Sequence, residues 1–207
     1  MDTLPFLIDL HVHSSLYSDC ATTLNPFEIE TFALKAGIDA VVLTEHDSLW
    51  ATDRFRDLQG QARDIEFFNG IEITAQHDYH LVALGISDTT LLPKGLPCQE
   101  IIDHVHNQDG IVILAHPYRN GLPPMKVMQQ LDAIEVGSTS LHAPESKLSF
   151  ILARELNKPA VACSDAHALI RIGWGYTSFP SRPTSVAHLC EMIKDGLGTP
   201  VLPNPFF

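Results

Sequence analysis

The chain has 207 residues, a net charge of −12 with histidines neutral, 45% hydrophobic residues and 18% charged ones. That is ample apolar surface for a core and excludes a disordered class, and no apolar run approaches the roughly 20 residues needed to cross a bilayer. An acidic surface repels polynucleotide backbone, which argues against a dedicated nucleic-acid binder, although bound divalent cations would still permit a small phosphorylated ligand.

The chain starts without a basic leader, so a cytoplasmic protein is expected. Its four cysteines, Cys20, Cys98, Cys163 and Cys190, have no CxxC spacing and are expected to be reduced and structural.

In chain order, residues 6–10 read as a strand, and 26–35 as a helix with Asn25 as N-cap, Pro26 at its first position and Gly37 past its end. Residues 39–43 form a continuous apolar run typical of a strand buried on both faces. A helix at 51–63 and a strand at 66–70 follow, then a strand at 79–84, a helix at 98–108 and a strand at 111–114. Helix 125–130 precedes strand 133–136, helix 144–157 precedes strand 160–163, and helix 185–195 ends at Gly196. Residues 85–97 and 171–183 read as turn-rich loops. Alternating β and α segments predict a parallel α/β architecture.

Chemistry-bearing residues gather at the ends of these strands: His11 and His13, His46 with Asp47, Glu72, His116, and Asp165 with His167. An open sheet would spread them along a line, whereas in a barrel the C-terminal strand ends share one mouth. We therefore expect a barrel, one domain spanning residues 1–207. His11 and His13, two apart, should point the same way and make a bidentate bite for one metal, and Asp165 and His167 repeat that spacing.

Glu72 has two oxygens with which to bridge two ions. His80 opens an apolar strand, with His77 as its competitor. His116 precedes Pro117, which favours extended backbone and ends its strand. Arg119 has the planar fork that suits a phosphate. His104 and His106 face apart on a helix, His188 reads as surface, and His142 could approach the mouth. A donor set of imidazole and carboxylate suits Zn, Mn or Fe(II).

Taken in order, Asp9-Leu10-His11-Val12-His13 with Asp19, Thr44-Glu45-His46-Asp47, Gly70-Ile71-Glu72, His80-Leu81, Ala115-His116-Pro117-Tyr118-Arg119 and Ser164-Asp165-Ala166-His167 resemble the PHP (polymerase and histidinol phosphatase) superfamily of metal-dependent phosphoesterases. The resemblance covers roughly residues 5–200 and implies a distorted barrel of seven β/α units with two or three divalent metal ions. It implies a first metal held by His11, His13, Glu72 and Asp165, a second by Glu72, His80 and His116, and a third by Asp19, His46 and His167. Asp47 would orient groups or handle protons.

Many relatives place the first-motif acid seven residues after the first histidine. Here Asp19 stands eight after His11, and the third metal depends on that spacing. The chain reads as a compact member without the helical insertion of some relatives. The expected activity is hydrolysis of a small phosphorylated substrate, a phosphomonoester in preference, by metal-activated water, with Arg119 and Asp47 in catalytic roles. The alternatives are an exonuclease-type phosphodiesterase, a non-catalytic metal-binding regulatory module, and a C–N hydrolase, which would call for a bridging lysine that this pattern lacks.

Overall fold

The computed structural model describes residues 4–203; the first three and last four positions of the expected domain lie outside the described residues. Within that span, one sheet carries nine strands in the order β7-β6-β5-β4-β3-β2-β1-β8-β9. The chain runs β1 (Phe6–Val12), α1 (Ile29–Ala36), β2 (Ala40–His46), α2 (Thr52–Gln61), β3 (Glu66–Thr74), β4 (His80–Leu84) and α3 (Cys98–His106). It continues through β5 (Ile111–Leu114), α4 (Met125–Met128), β6 (Ala133–Gly137), α5 (Ala143–Leu156), β7 (Ala160–Ala162), β8 (Tyr176–Phe179), α6 (Val186–Lys194) and β9 (Thr199–Val201).

The helix signals act where the sequence puts them. The Asn25 side chain accepts from Phe27 N, Pro26 opens a short 3-10 turn that leads into α1, and Gly37 ends α1 at φ 74. Ser185 caps α6 by accepting from His188 N.

Two features depart from an all-parallel barrel. β4 returns antiparallel between β3 and β5, because the turn at residues 75–79 is too short for a crossover. The segment 171–183, expected to be a loop, contains β8, which pairs antiparallel with β1 and with β9. β8 also reaches β7 through a side chain: the Thr177 hydroxyl accepts from Ala162 N at 3.0 Å and donates to Ala162 O at 2.8 Å. At the opposite end of the same seam, Val12 bridges Ala166 directly, with His13 N donating to Ala166 O at 3.0 Å. The sheet is thus a nearly closed barrel whose seam is wedged open by β8 at one end and bridged by backbone at the other.

Asp9 fixes this splay. Its buried carboxylate accepts from Ser164 N at 2.8 Å and Gly173 N at 2.9 Å. Burial pushes its pKa up to about 6 against those donors.

The interior divides along the barrel axis. At the N-terminal ends of the parallel strands Ile8, Ala40, Phe68, Ile111, Ala133, Val161 and Phe179 pack together, and α6 closes that end with Leu189, Cys190, Met192 and Ile193. Two outer layers bury the other strand faces, one against α1 and α2 and one against α3 and α5.

Candidate metal centre

The barrel mouth opens where a β-bulge sits in β1. Asp9 pairs with Val41 but Val12 pairs with Leu43, so β1 carries one extra residue. Ile8 and Leu10 belong to the inner core and Val12 to the outer one. The bulge breaks strict alternation between Leu10 and Val12, and this lets His11 and His13 both turn inward. Thr44 satisfies the disturbed ladder, accepting from Val12 N at 3.1 Å.

Glu72, on β3 and fully buried, is the hub. Its Oε1 lies 2.7 Å from His80 Nδ1 and 2.9 Å from His116 Nε2. Its Oε2 lies 2.8 Å from His46 Nδ1, 3.4 Å from His13 Nε2 and 3.5 Å from His11 Nε2, yet it makes no hydrogen bond. Asp165 Oδ1 stands on the far side, 3.1 Å from His13 Nε2 and 3.5 Å from both His11 Nε2 and His167 Nδ1. A buried carboxylate oxygen surrounded by imidazole nitrogens, without a hydrogen bond, is what a cation between them would explain.

Strained backbone aims several of these groups. Asp47 (φ 51), His116 (φ 26) and Asp165 (φ 50) all adopt positive φ at strand ends, a conformation that costs free energy in non-glycine residues. His116 therefore departs from the extended geometry expected before proline. The inner side of β5 is lined by Ile111, Ile113 and Ala115, so an extended His116 would have pointed outward, and positive φ turns it back to Glu72.

The electrostatics are those of a cluster sharing a proton. Burial lowers the pKa of His11, but facing Asp165 and Glu72 outweigh it and hold the imidazole well above its ordinary value. Burial drives His13 down to about 4 despite its contact with Asp165, leaving a free nitrogen lone pair. Burial would raise Glu72 and Asp165, but His11 above all, with other imidazoles, holds both well below the carboxylate range.

The expected ligands regroup in space. His11, His13 and Glu72 bring donor atoms within 4.8 Å of one another; so do His46, Glu72 and His80, and so do His13, His46 and His167. Asp19 joins none of these groups: it is exposed on the rim, and its neighbour Ser18 is the residue that turns inward. His80 rather than His77 faces Glu72, since His77 sits exposed in a 3-10 turn at φ 66.

Asp47 accepts from Thr74 N at 2.7 Å and from its hydroxyl at 3.0 Å, which fixes the carboxylate beside the mouth. Arg119 is exposed, with Nη1 3.5 Å from Ser140 Oγ, and that hydroxyl donates to Asp165 Oδ2. His142 caps α5 and lines the mouth, while His106 pairs with Asp132 away from it.

Three residues were given no role from the sequence. Glu135 on β6 lies 3.1 Å from His11 Nδ1. Glu45 on β2 accepts from Ser14 N, from the Ser14 and Ser18 hydroxyls and from Trp50 Nε1. Ser18 in turn lies 3.3 Å from His13 Nδ1. The available signal was a glutamate inside each of two apolar strands, Val42-Leu43-Thr44-Glu45 and Ala133-Ile134-Glu135-Val136. A buried carboxylate is too costly to be there without partners.

The mouth has two lobes. One, of about 490 Å³, is lined by Tyr17, Asp19, Asp47, Lys94, Arg119 and Asn120 among others; the other, of about 450 Å³, includes Leu141, His142, Arg171 and Trp174.

Residues 145–197 match a family described as PHP-associated. Among curated proteins, an uncharacterized protein of Methanocaldococcus jannaschii, MJ1587, is 28% identical over 119 residues, 53% of this chain and 67% of that protein. PsfC from Pseudomonas syringae superposes with a TM-score of 0.75 at 15% identity, covering 98% of this chain and 94% of that one. A structure described as a metal-dependent phosphoesterase from Bifidobacterium adolescentis gives 0.62 at 16% identity, covering 79% and 88%. The lesion-specific endonuclease PfuEndoQ from Pyrococcus furiosus gives 0.65 at 17%, covering 98% of this chain but 60% of its own. The chain thus shares its fold with these structures, and its C-terminal segment is similar to the PHP-associated family.

Proposed function

We propose that this protein is a metal-dependent phosphoesterase that hydrolyses a small phosphorylated substrate, a phosphomonoester in preference, at a centre of two or three divalent ions. The observation that carries the reading is Glu72: a buried carboxylate contacting five imidazoles, one of its oxygens left without a hydrogen bond. His11, His13, Glu72 and Asp165 would hold one ion, and His46, Glu72, His80 and His116 a second. His167, half-exposed beside His13, would serve a third together with His46. Asp19 lies outside the donor groups, so a third ion would lack the carboxylate that the family pattern assigns to it. The donors are nitrogen and oxygen, suited to Zn, Mn or Fe(II).

When bound, such ions polarise phosphoryl oxygens and acidify water. The chain's own groups do the rest. Arg119 and Lys94 line the same lobe, where their positive charge can orient a phosphate and offset charge building on its oxygens. Asp47, held by Thr74, offers a fixed carboxylate to exchange a proton with the leaving group. Both lobes are of ordinary metabolite size.

The likeness to an endonuclease, together with the two cations in one lobe, favours a diester of nucleic acid as the second reading. Three carboxylates in that lobe, Asp19, Asp47 and Asp78, weigh against it because they repel a polyanion.

The test is a panel of phosphorylated metabolites and an abasic DNA duplex, each supplied in turn with Mn, Zn and Fe(II). Phosphate release from one metabolite class, lost in His11→Ala and Asp165→Ala variants together with bound metal, is the expected result. Full metal content and full activity in both variants would overturn the site, and cleavage of the duplex alone would select the second reading.

A further inference from the structure

His11 and His13 each present Nε2 to the same point between Glu72 and Asp165, 3.1 Å from one another. An imidazole can do this only if its other nitrogen is held from behind. Behind His11, Nδ1 lies 3.1 Å from Glu135 Oε2, and both residues are fully enclosed. Glu135 can only accept, so Nδ1 carries the proton and Nε2 is left to face the centre. The second oxygen, Glu135 Oε1, is buried with no hydrogen bond.

Behind His13, Nδ1 lies 3.3 Å from Ser18 Oγ, and that hydroxyl has its own proton committed to Glu45 Oε2 at 2.6 Å. With His13 Nε2 turned to a metal, the remaining proton sits on Nδ1 and Ser18 accepts its hydrogen bond. Glu45 is itself anchored by Ser14 N and Trp50 Nε1.

We propose that Glu135 and the Glu45–Ser18 pair are the positioning residues of the first metal site. Each fixes the tautomer and aim of one histidine of the pair, Glu135 directly and Glu45 through a hydroxyl, and so sets how tightly that metal is held. This inference rests on the reading of the mouth as a metal centre. A different role for the same corner is that His11, Glu135 and Cys163, whose donor atoms also lie within 4.8 Å of one another, bind an ion themselves. One feature opposes it: His11 Nδ1 is already engaged by Glu135.

The experiment measures Mn and Zn stoichiometry and affinity by chelator competition, and the thermal midpoint of the metal-free protein, for wild type, Glu135→Gln, Ser18→Ala, Ser18→Thr and Cys163→Ser. Glutamine still accepts from Nδ1–H but carries no charge. Expected for Glu135→Gln are unchanged stoichiometry, a tightest-site affinity lower by about 10- to 100-fold, and a metal-free midpoint equal to or above wild type. Ser18→Ala should weaken the same site and Ser18→Thr restore it, with Cys163→Ser binding as wild type does.

Affinity within twofold of wild type in both Glu135→Gln and Ser18→Ala overturns the proposal. So does affinity lost only in step with metal-free stability, which would mark a merely structural role. Loss of one metal equivalent in both Glu135→Gln and Cys163→Ser overturns it in favour of an ion bound at that corner. If wild type itself binds no divalent metal, the reading of the metal centre fails instead.

Discussion

The two ends of the barrel interior are built on opposite principles. At the α6 end, Ile8, Phe68, Ile111 and Phe179 pack on Leu189 and Ile193. At the mouth, buried His11, His13, Glu72, Glu135 and Asp165 crowd together. Apolar burial stabilises the first end by roughly 25 cal/mol per Å² removed from water. The second gathers charges whose desolvation opposes folding and is offset only by tight mutual pairing. The α6 end therefore acts as the stabilising clamp that lets the mouth hold strained backbone and concentrated charge.

The largest expected break in this contrast is Phe179→Ala. Phe179 is fully buried in the cluster that α6 closes, so its loss should cost about 3–5 kcal/mol of stability. Metal stoichiometry measured below the lowered midpoint should stay that of wild type; a lost metal equivalent would show that the ends are not separable. Arg119→Met acts the other way. An exposed rim guanidinium removed from the mouth should leave the thermal midpoint within about 0.5 kcal/mol of wild type. It should lower kcat on whichever substrate the metabolite panel selects by about 10²- to 10³-fold, as for loss of one preorganised donor to transition-state charge.

The same contrast governs how much could be read from the sequence. The parallel strands and the ligand-type residues at their ends were legible because apolar runs of four or five residues stop at histidine or carboxylate, and the barrel follows from their need to meet. β8 and β9 were not. Tyr176-Thr177-Ser178-Phe179 has no long apolar run and sits between Gly175 and Pro180, while β9 is three residues with Pro200 at its centre. The β1 bulge was equally hidden, since no residue type dictates it, and it is the device that turns both histidines inward. Asp19 shows the limit of spacing arguments: its one-residue offset is visible in the sequence, but that Ser18 faces inward in its neighbourhood depends on Glu45 across the sheet. Those hidden choices are made by tertiary pairing rather than by local propensity.

The smallest effect, and the one that separates the two ends without any mutation, is the pH dependence of stability. In the metal-free protein the folded His11 binds its proton more tightly than the unfolded chain does, because Asp165 and Glu72 outweigh its burial. A raised histidine pKa gives stability that is complete below about pH 6.5 and lost as pH climbs through the folded value. Glu72 and Asp165 are depressed by the same contacts, so their contribution is complete above about pH 4 and lost as pH falls below it. Between about pH 4 and 6.5 the lowered His13 and the raised Asp9 act in opposite directions, so metal-free protein should hold its stability up to about pH 6.5 and decline toward pH 8.5. A bound cation replaces the proton on the imidazole, so its affinity rises with pH. At 100-fold excess over its dissociation constant it adds about 2.7 kcal/mol, some 5–10 °C in a chain of this size. Thermal scans from pH 5 to 8.5 with chelator and with Mn or Zn should thus slope in opposite directions above pH 6.5. Parallel slopes would mean that the proton and the metal do not compete for His11, and that the crowded mouth is a structural charge cluster rather than a metal centre.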